Sequence, residues 1–251
     1  MLDVIGALIF GAICTVFLVV LIGLAAIRPA SKFLAFAIAA TWISLIVTIA
    51  ALGGFGPDIA GPFPTPVIAF LMVIIAGAAA WLAWPAFRRA VFSIPLVALV
   101  GINGVRIAGV FFLILHAQGR LAAPFSTSAG WGDIIAGAIA IPLAGLMPWK
   151  GTVPRWLLGG WNALGILDLI TAIALGALSA PGTPFRVFTE APGTNAMGTL
   201  PWVIIPAILV PLFLLTHLAI AVRLRATYSE EVSTDQRSGG LPPEAAIGRI
   251  A

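Results

Sequence analysis

Residues 4–27 read VIGALIFGAICTVFLVVLIGLAAI, twenty-four positions without a single charge. At 1.5 Å of rise per residue such a run makes a helix of roughly 36 Å, enough to cross a hydrocarbon core of about 30 Å. It also exceeds the roughly 7–15 apolar residues of a signal peptide and has no basic residues before it, so it is read as a retained first helix. Working outward, six further apolar runs follow at Phe33–Leu52, Pro66–Trp84, Val91–Leu115, Trp131–Met147, Trp156–Leu178 and Leu200–Val222. The 251 residues are 61% hydrophobic and 9% charged, against roughly 25% charged in soluble domains, which excludes a soluble fold. The expected fold is all-α, a polytopic integral membrane protein with seven transmembrane helices over residues 1–225. From Ala226 the composition turns polar, through Ser229-Glu230-Glu231 to Pro242-Pro243, and a disordered cytoplasmic tail is expected over residues 226–251.

Loop charges orient these spans. Arg28, Lys32, Arg88, Arg89, Lys150, Arg155, Arg223 and Arg225 fall at one end of the spans, and only Arg120 and Arg186 at the other. Positive loops stay in the cytoplasm, so the N-terminus is expected outside, the C-terminus inside, and the membrane to be a bacterial inner (plasma) membrane. The net charge of +4 therefore records topology and does not point to nucleic acid. Trp81, Trp84, Trp149 and Trp156 fall at the expected inner interface, and Trp131 and Trp202 at the outer one. Among the outer loops, Ser179–Thr199 repeats Ala-Pro-Gly-Thr at 180–183 and 191–194, a pattern for tight turns that would fold the loop back over the helix ends as a cap.

Ionisable side chains within a bilayer are costly and mark candidate functional sites. Arg106 lies near the middle of the fourth span and Asp168 near the middle of the sixth, at matching depths, so the two can pair. Asn103, one turn from Arg106, offers it an acceptor, while Trp161 and its neighbour Asn162 lie on the same helix as Asp168. Gly101, Gly104, Gly109, Gly159, Gly160 and Gly165 would let these backbones approach closely. Asp133, at the expected outer start of the fifth span, reads first as a helix N-cap or first-turn acid, with Trp131 beside it. His116 ends the fourth span outside, next to Gln118 and Arg120. His217, in the inner half of the seventh, is expected to be a buried hydrogen-bonding group or a proton relay. Pro201, Pro206 and Pro211 should bend or loosen the seventh helix.

Gly130-Trp131-Gly132-Asp133 resembles the Gly-x-Gly-Asp element of intramembrane aspartyl proteases, which implies a second catalytic carboxylate. The only mid-membrane candidate, Asp168, comes later in the chain instead of earlier, and its expected depth differs from that of Asp133 by roughly 10 Å. Seven helices with an outside N-terminus resemble microbial rhodopsins in size and topology. The last span, however, has no lysine for a retinal Schiff base; Lys32 and Lys150 are the only lysines and lie in loops. His116 and His217, more than about 20 Å apart in expected depth, do not suit one haem. No Cys-x-x-Cys, His-x-x-x-His or acidic cluster offers a metal site, the lone Cys14 permits no intrachain disulfide, and no cofactor is identified.

Three function classes remain. In the first, Arg106, Asp168, Asp133, Asn103, His116, Trp161, Trp131 and Asn162 line an outward-facing intramembrane pocket for a small or lipid-like ligand, which Arg106 would suit to be anionic, serving transport or sensing. In the second, the protein is a structural or assembly subunit, a partner of another membrane protein or of itself, in which the Arg106–Asp168 pair only locks helices. In the third it is an enzyme acting on a lipid-soluble substrate. The polar bias toward the outer half favours the first.

Overall fold

The computed structural model describes residues 1–56, 64–149 and 153–238. It is all-helical among these residues, and seven of its helical stretches are long and apolar enough to cross a membrane. The elements are α1 (Leu2–Leu24), α2 (Pro29–Ala51), α3 (Thr65–Ala83), a short α4 (Pro85–Ser93), α5 (Leu96–Gly101) continuing through a 3-10 segment (Ile102–Gly109) into α6 (Val110–Ala117), α7 (Phe125–Trp149), α8 (Arg155–Leu178), and a π-helical turn (Ile205–Leu209) that opens α9 (Val210–Ser238). Prolines start several of them: Pro29 and Pro85 at first helical positions and Pro66 at a second, where a missing N–H costs nothing.

Burial shows which helices form the centre. Over half of the seventh span and 44% of the fourth are buried, against 6% of the second. The α5–α6 stretch and α9 therefore form the middle of the bundle, flanked by α7 and α8, while α2 lies at the periphery with Ile46 as its one buried residue. Leu34, Ile38 and Leu45 on α2 stay exposed, as expected of side chains that face lipid.

Several boundaries differ from the sequence expectation. The run expected as one span from Val91 is cut at Ser93-Ile94-Pro95. Pro95 disfavours helical geometry at Ile94, whose φ is −68° and ψ 129°. The released Ser93 hydroxyl accepts from Ala26 N–H at 2.8 Å, joining this break to the end of α1. The fifth span starts six residues earlier than Trp131, because Ser126 and Thr127 return their hydroxyls to the carbonyls of Ala122 and Pro124 and so sit in helix without unmet polarity. Pro142 is carried inside α7 without ending it. The seventh span begins at Ile205, leaving Pro201 in the preceding turn. At its other end α9 is described through Ser238, past the Val222 expected as the end of the span. Residues 239–251 and Lys150 lie outside the described residues.

Trp202 does not serve in an interfacial belt. Its ring is fully buried, packed against Phe10 and Phe111, and its indole N–H donates to Asp3 at 2.7 Å. Asp3 also pairs with Arg120 at 2.8 Å, so the N-terminus, the α6–α7 loop and the turn before the π-helical segment are held together at one end of the bundle. The loop 179–199 folds over the helix ends as expected. Leu178 C=O accepts from Val187 and Phe188, Gly193 C=O accepts from Ala122, and Thr194 Oγ1 donates to Gly176 C=O. Gly182 and Gly193, following the two prolines of the repeat, take positive φ values of 77° and 62°.

The apolar interior falls into two clusters. One gathers Phe10, Phe17, Phe112, Phe125, Leu169 and Phe213 toward the Asp3 end; the other gathers Leu99, Ala140, Leu143, Leu158, Trp161 and Ile220 toward the opposite end. Between the clusters each of the four central helical stretches contributes a polar side chain: Arg106, Asp133, Asp168 and His217.

Candidate functional site

The polar layer is built around Arg106, whose side chain is fully buried. Its Nε donates to Asp133 Oδ1 on α7 at 2.7 Å, its Nη2 donates to Asp168 Oδ2 on α8, and its Nη1 lies 3.1 Å from His217 Nε2 on α9. A guanidinium can only donate, so His217 Nε2 accepts and the imidazole is neutral with its proton on Nδ1. That proton is donated to Asn162 Oδ1 of α8 at 2.9 Å. The His217 ring rests against Trp161, centroids 5.1 Å apart, and the Trp161 indole N–H donates to Ala136 C=O at 2.9 Å. The Phe213 ring lies 5.5 Å from the guanidinium carbon, within cation–π range.

Local backbone geometry places these groups. In a 3-10 helix, side chains three residues apart eclipse, whereas in an α-helix they drift round the axis. The 3-10 segment therefore stacks Asn103, Arg106 and Gly109 in one column, and all three are buried. Glycine then removes what would obstruct the column: a Cβ on Gly137 would come within 2.8 Å of Ile107 N, so α7 can lie directly against the backbone beside Arg106. A Cβ on Gly132 would collide with the Asp168 carboxylate, and one on Gly165 with the His217 ring.

Of the sequence candidates, Arg106, Asp168 and Asp133 meet in one cluster, with Asn162 and Trp161 reached through His217. The expected depth mismatch between Asp133 and Asp168 is overturned. Once α7 starts at Phe125, Asp133 lies about two turns inside the helix, and both carboxylates reach the same guanidinium. Asn103 is in the layer but does not serve Arg106. Its amide donates to Leu99 C=O at 2.8 Å and toward Thr216 Oγ1 at 3.4 Å, and its Oδ1 has no partner among the described residues. His116 is exposed, its ring bonded to Leu121 C=O at 3.1 Å, and Trp131 is 57% exposed; neither joins the cluster. Gly159 and Gly160 face open space, so only Gly104, Gly109 and Gly165 of the expected close-approach glycines, with Gly101 in ordinary contact, fulfil that role. Sequence reading left His217 outside the candidate set, although its position inside an apolar span was a signal of the same kind as those of Arg106 and Asp168.

Asp133 also forms part of the wall of a cavity of about 110 Å³ toward the Asp3 end. Its other walls are apolar: Phe112, Phe125, Ala129, Leu169 and Ala172 among them, with Pro206 of the π-helical turn on one side and Thr183 and Asn195 of the loop 179–199 above. Asp133 also borders, together with Arg106, a second space of about 20 Å³, the size of one water molecule. No group of three or more His, Cys, Asp or Glu suited to a metal ion occurs among the described residues.

The fold and this layer define a class, a helical membrane bundle with a charged cluster at its centre and a cavity opening onto one of the cluster's carboxylates. Within it, the chain belongs to the family described as Domain of unknown function (DUF8737), whose profile matches residues 63–225, about two thirds of the chain. The match takes in α3 to α8 and most of α9, with Arg106, Asp133, Asp168, Asn162 and His217 all inside it. No curated protein and no solved structure matches the chain.

Proposed function

We propose that the protein binds a small lipid-soluble molecule in the cavity above Asp133, for transport or sensing, with the Arg106-bearing layer as the floor of the site. The observation that carries this reading is the junction of the two features. Packing alone needs no space beside a buried charge, whereas here an apolar chamber ends on the carboxylate that Arg106 holds. Mostly apolar walls with a few placed polar groups are the usual make-up of a small-molecule site. The chamber approaches the roughly 150 Å³ of an engineered cavity that binds benzene, so it suits a ring or a short chain end. The charge distribution supports an orientation with the basic end in the cytoplasm of the cell and the cavity in the outer half of a plasma membrane.

Native mass spectrometry of the purified chain tests this. A small-molecule adduct is expected on the wild type and is expected to vanish in Ala172→Phe, which puts a ring into the chamber. A folded wild type without an adduct, or an adduct that survives Ala172→Phe, overturns the reading in favour of a helix-locking role.

A further inference from the structure

We infer that the molecule taken by this cavity carries a protonated amine, bound by Asp133. The inference rests on the cavity being a ligand site and adds its chemistry. Charge gives the first argument. The layer holds two carboxylates, Asp133 and Asp168, and one guanidinium, Arg106, while His217 is neutral by its hydrogen bonds. These are the charged and titratable side chains that face the cluster from the 3-10 segment, α7, α8 and α9. With both carboxylates ionised the set is one positive charge short, and a buried unpaired carboxylate costs several kcal/mol, so a cation gains most there.

Geometry says where the cation goes. Asp168 is not in the cavity wall; Asp133 is, and it is the one charged residue among the described lining residues. Only its Oδ1 accepts from Arg106, its Oδ2 has no hydrogen bond among the described residues, and 14% of the side chain remains exposed. Arg106, which would be the partner of an anion, has each of its nitrogens committed to Asp133, Asp168 or His217 and is fully buried. Arg106 is also absent from the walls of this cavity, so an anionic ligand there would meet Asp133 and not the guanidinium.

The rest of the wall agrees. Asn195, whose buried amide oxygen has no hydrogen-bond partner among the described residues, lines the same chamber. Phe55, Phe70, Phe112 and Phe125 contribute rings, whose π electrons attract a desolvated cation. A ligand with an apolar body and an ammonium head satisfies all of these; a carboxylate or phosphate satisfies none.

The test uses the full chain in nanodiscs of zwitterionic phosphatidylcholine, so that lipid charge does not rank the probes. Three probes share one ring: 2-phenylethylamine, 2-phenylethanol and 3-phenylpropionate, with binding followed by saturation-transfer NMR and titration. The amine is expected to bind about tenfold or more tightly than the alcohol, and the carboxylate most weakly. In Asp133→Asn, which keeps an acceptor for Arg106 Nε, amine and alcohol are expected to converge. If the alcohol or the carboxylate binds wild type as tightly as the amine, and Ala172→Phe abolishes that binding, the amine inference falls while the cavity reading stands. If none of the three binds, or if Ala172→Phe leaves all three unchanged, the inference falls, and the native adduct then decides the cavity reading separately. The ranking in wild type suffices even where Asp133→Asn does not fold.

Discussion

Arg106 is the residue on which the largest energies converge. Breaking a buried ion pair by removing one partner costs about 3–5 kcal/mol, whereas replacing the whole set by uncharged groups is often near neutral. Arg106→Met is therefore expected to lose about that much in unfolding free energy, since it leaves Asp133 and Asp168 buried without a cation. Adding Asp133→Asn and Asp168→Asn to it should return most of the loss; reversible unfolding in mixed micelles measures both. The triple variant is expected to fold yet show no amine preference, which separates what the cluster does for stability from what it does for binding. Asn162→Ala removes only a neutral acceptor from His217, and intramembrane hydrogen bonds average about 0.6 kcal/mol, so a loss no larger than about 1 kcal/mol is expected. At this scale the sequence was informative wherever a charge stood in an apolar run: Arg106 and Asp168 could be read directly. Asp133 was placed too shallow because Ser126 and Thr127 look like a loop until their hydroxyls are seen to turn back on the carbonyls of Ala122 and Pro124.

The 3-10 segment and α7 are the pair of elements that makes the site. Eight residues of 3-10 geometry exceed the usual three or four, and the gain is the single column of Asn103, Arg106 and Gly109 against α7. Periodicity could not disclose this: at 3.6 residues per turn Gly109 would sit about a sixth of a turn away from Arg106 and about a third of a turn away from Asn103. Apolar runs gave the seven spans, but the break at Pro95, the π-helical turn around Pro206 and the early start of α7 depend on hydrogen bonds that composition does not encode. The close approach itself can be measured. Gly137→Ala would set a methyl 2.8 Å from Ile107 N, a backbone atom that cannot step aside, and a cost of about 1–3 kcal/mol is expected. Gly145→Ala, further along α7 with nothing within 4 Å, is expected to be neutral or slightly stabilising. Equal effects of the two on thermal unfolding would show that α7 does not rest on the segment as described.

For the whole molecule the decisive quantity is which way the bundle crosses the membrane, because it fixes the side from which the cavity is reached. Two sets of side chains mark the ends. Arg28, Lys32, Arg88, Arg155, Arg223 and Arg225 cluster at one, where Arg88 donates to the carbonyls closing α3 and Lys32 to Gly23 C=O near the end of α1. At the other, Asp3, Arg120 and Trp202 form a closed set in which the charges offset one another. Lys and Arg near span ends stay on the cytoplasmic side, and a balanced pair such as Asp3–Arg120 adds little to that bias, so the second end should face outward with the cavity behind it. Cysteine labelling tests this on the intact chain, since Cys14 is the sole native thiol and is buried. In a Cys14→Ala background, Gln118→Cys lies at an exposed position with φ −85°, and Ala86→Cys lies at an exposed position on α4. An impermeant maleimide applied to intact cells is expected to label Gln118→Cys at once and Ala86→Cys only after permeabilisation. The reverse pattern would invert the bundle and place the Asp133 cavity on the cytoplasmic side, where a ligand would have to enter from within the cell.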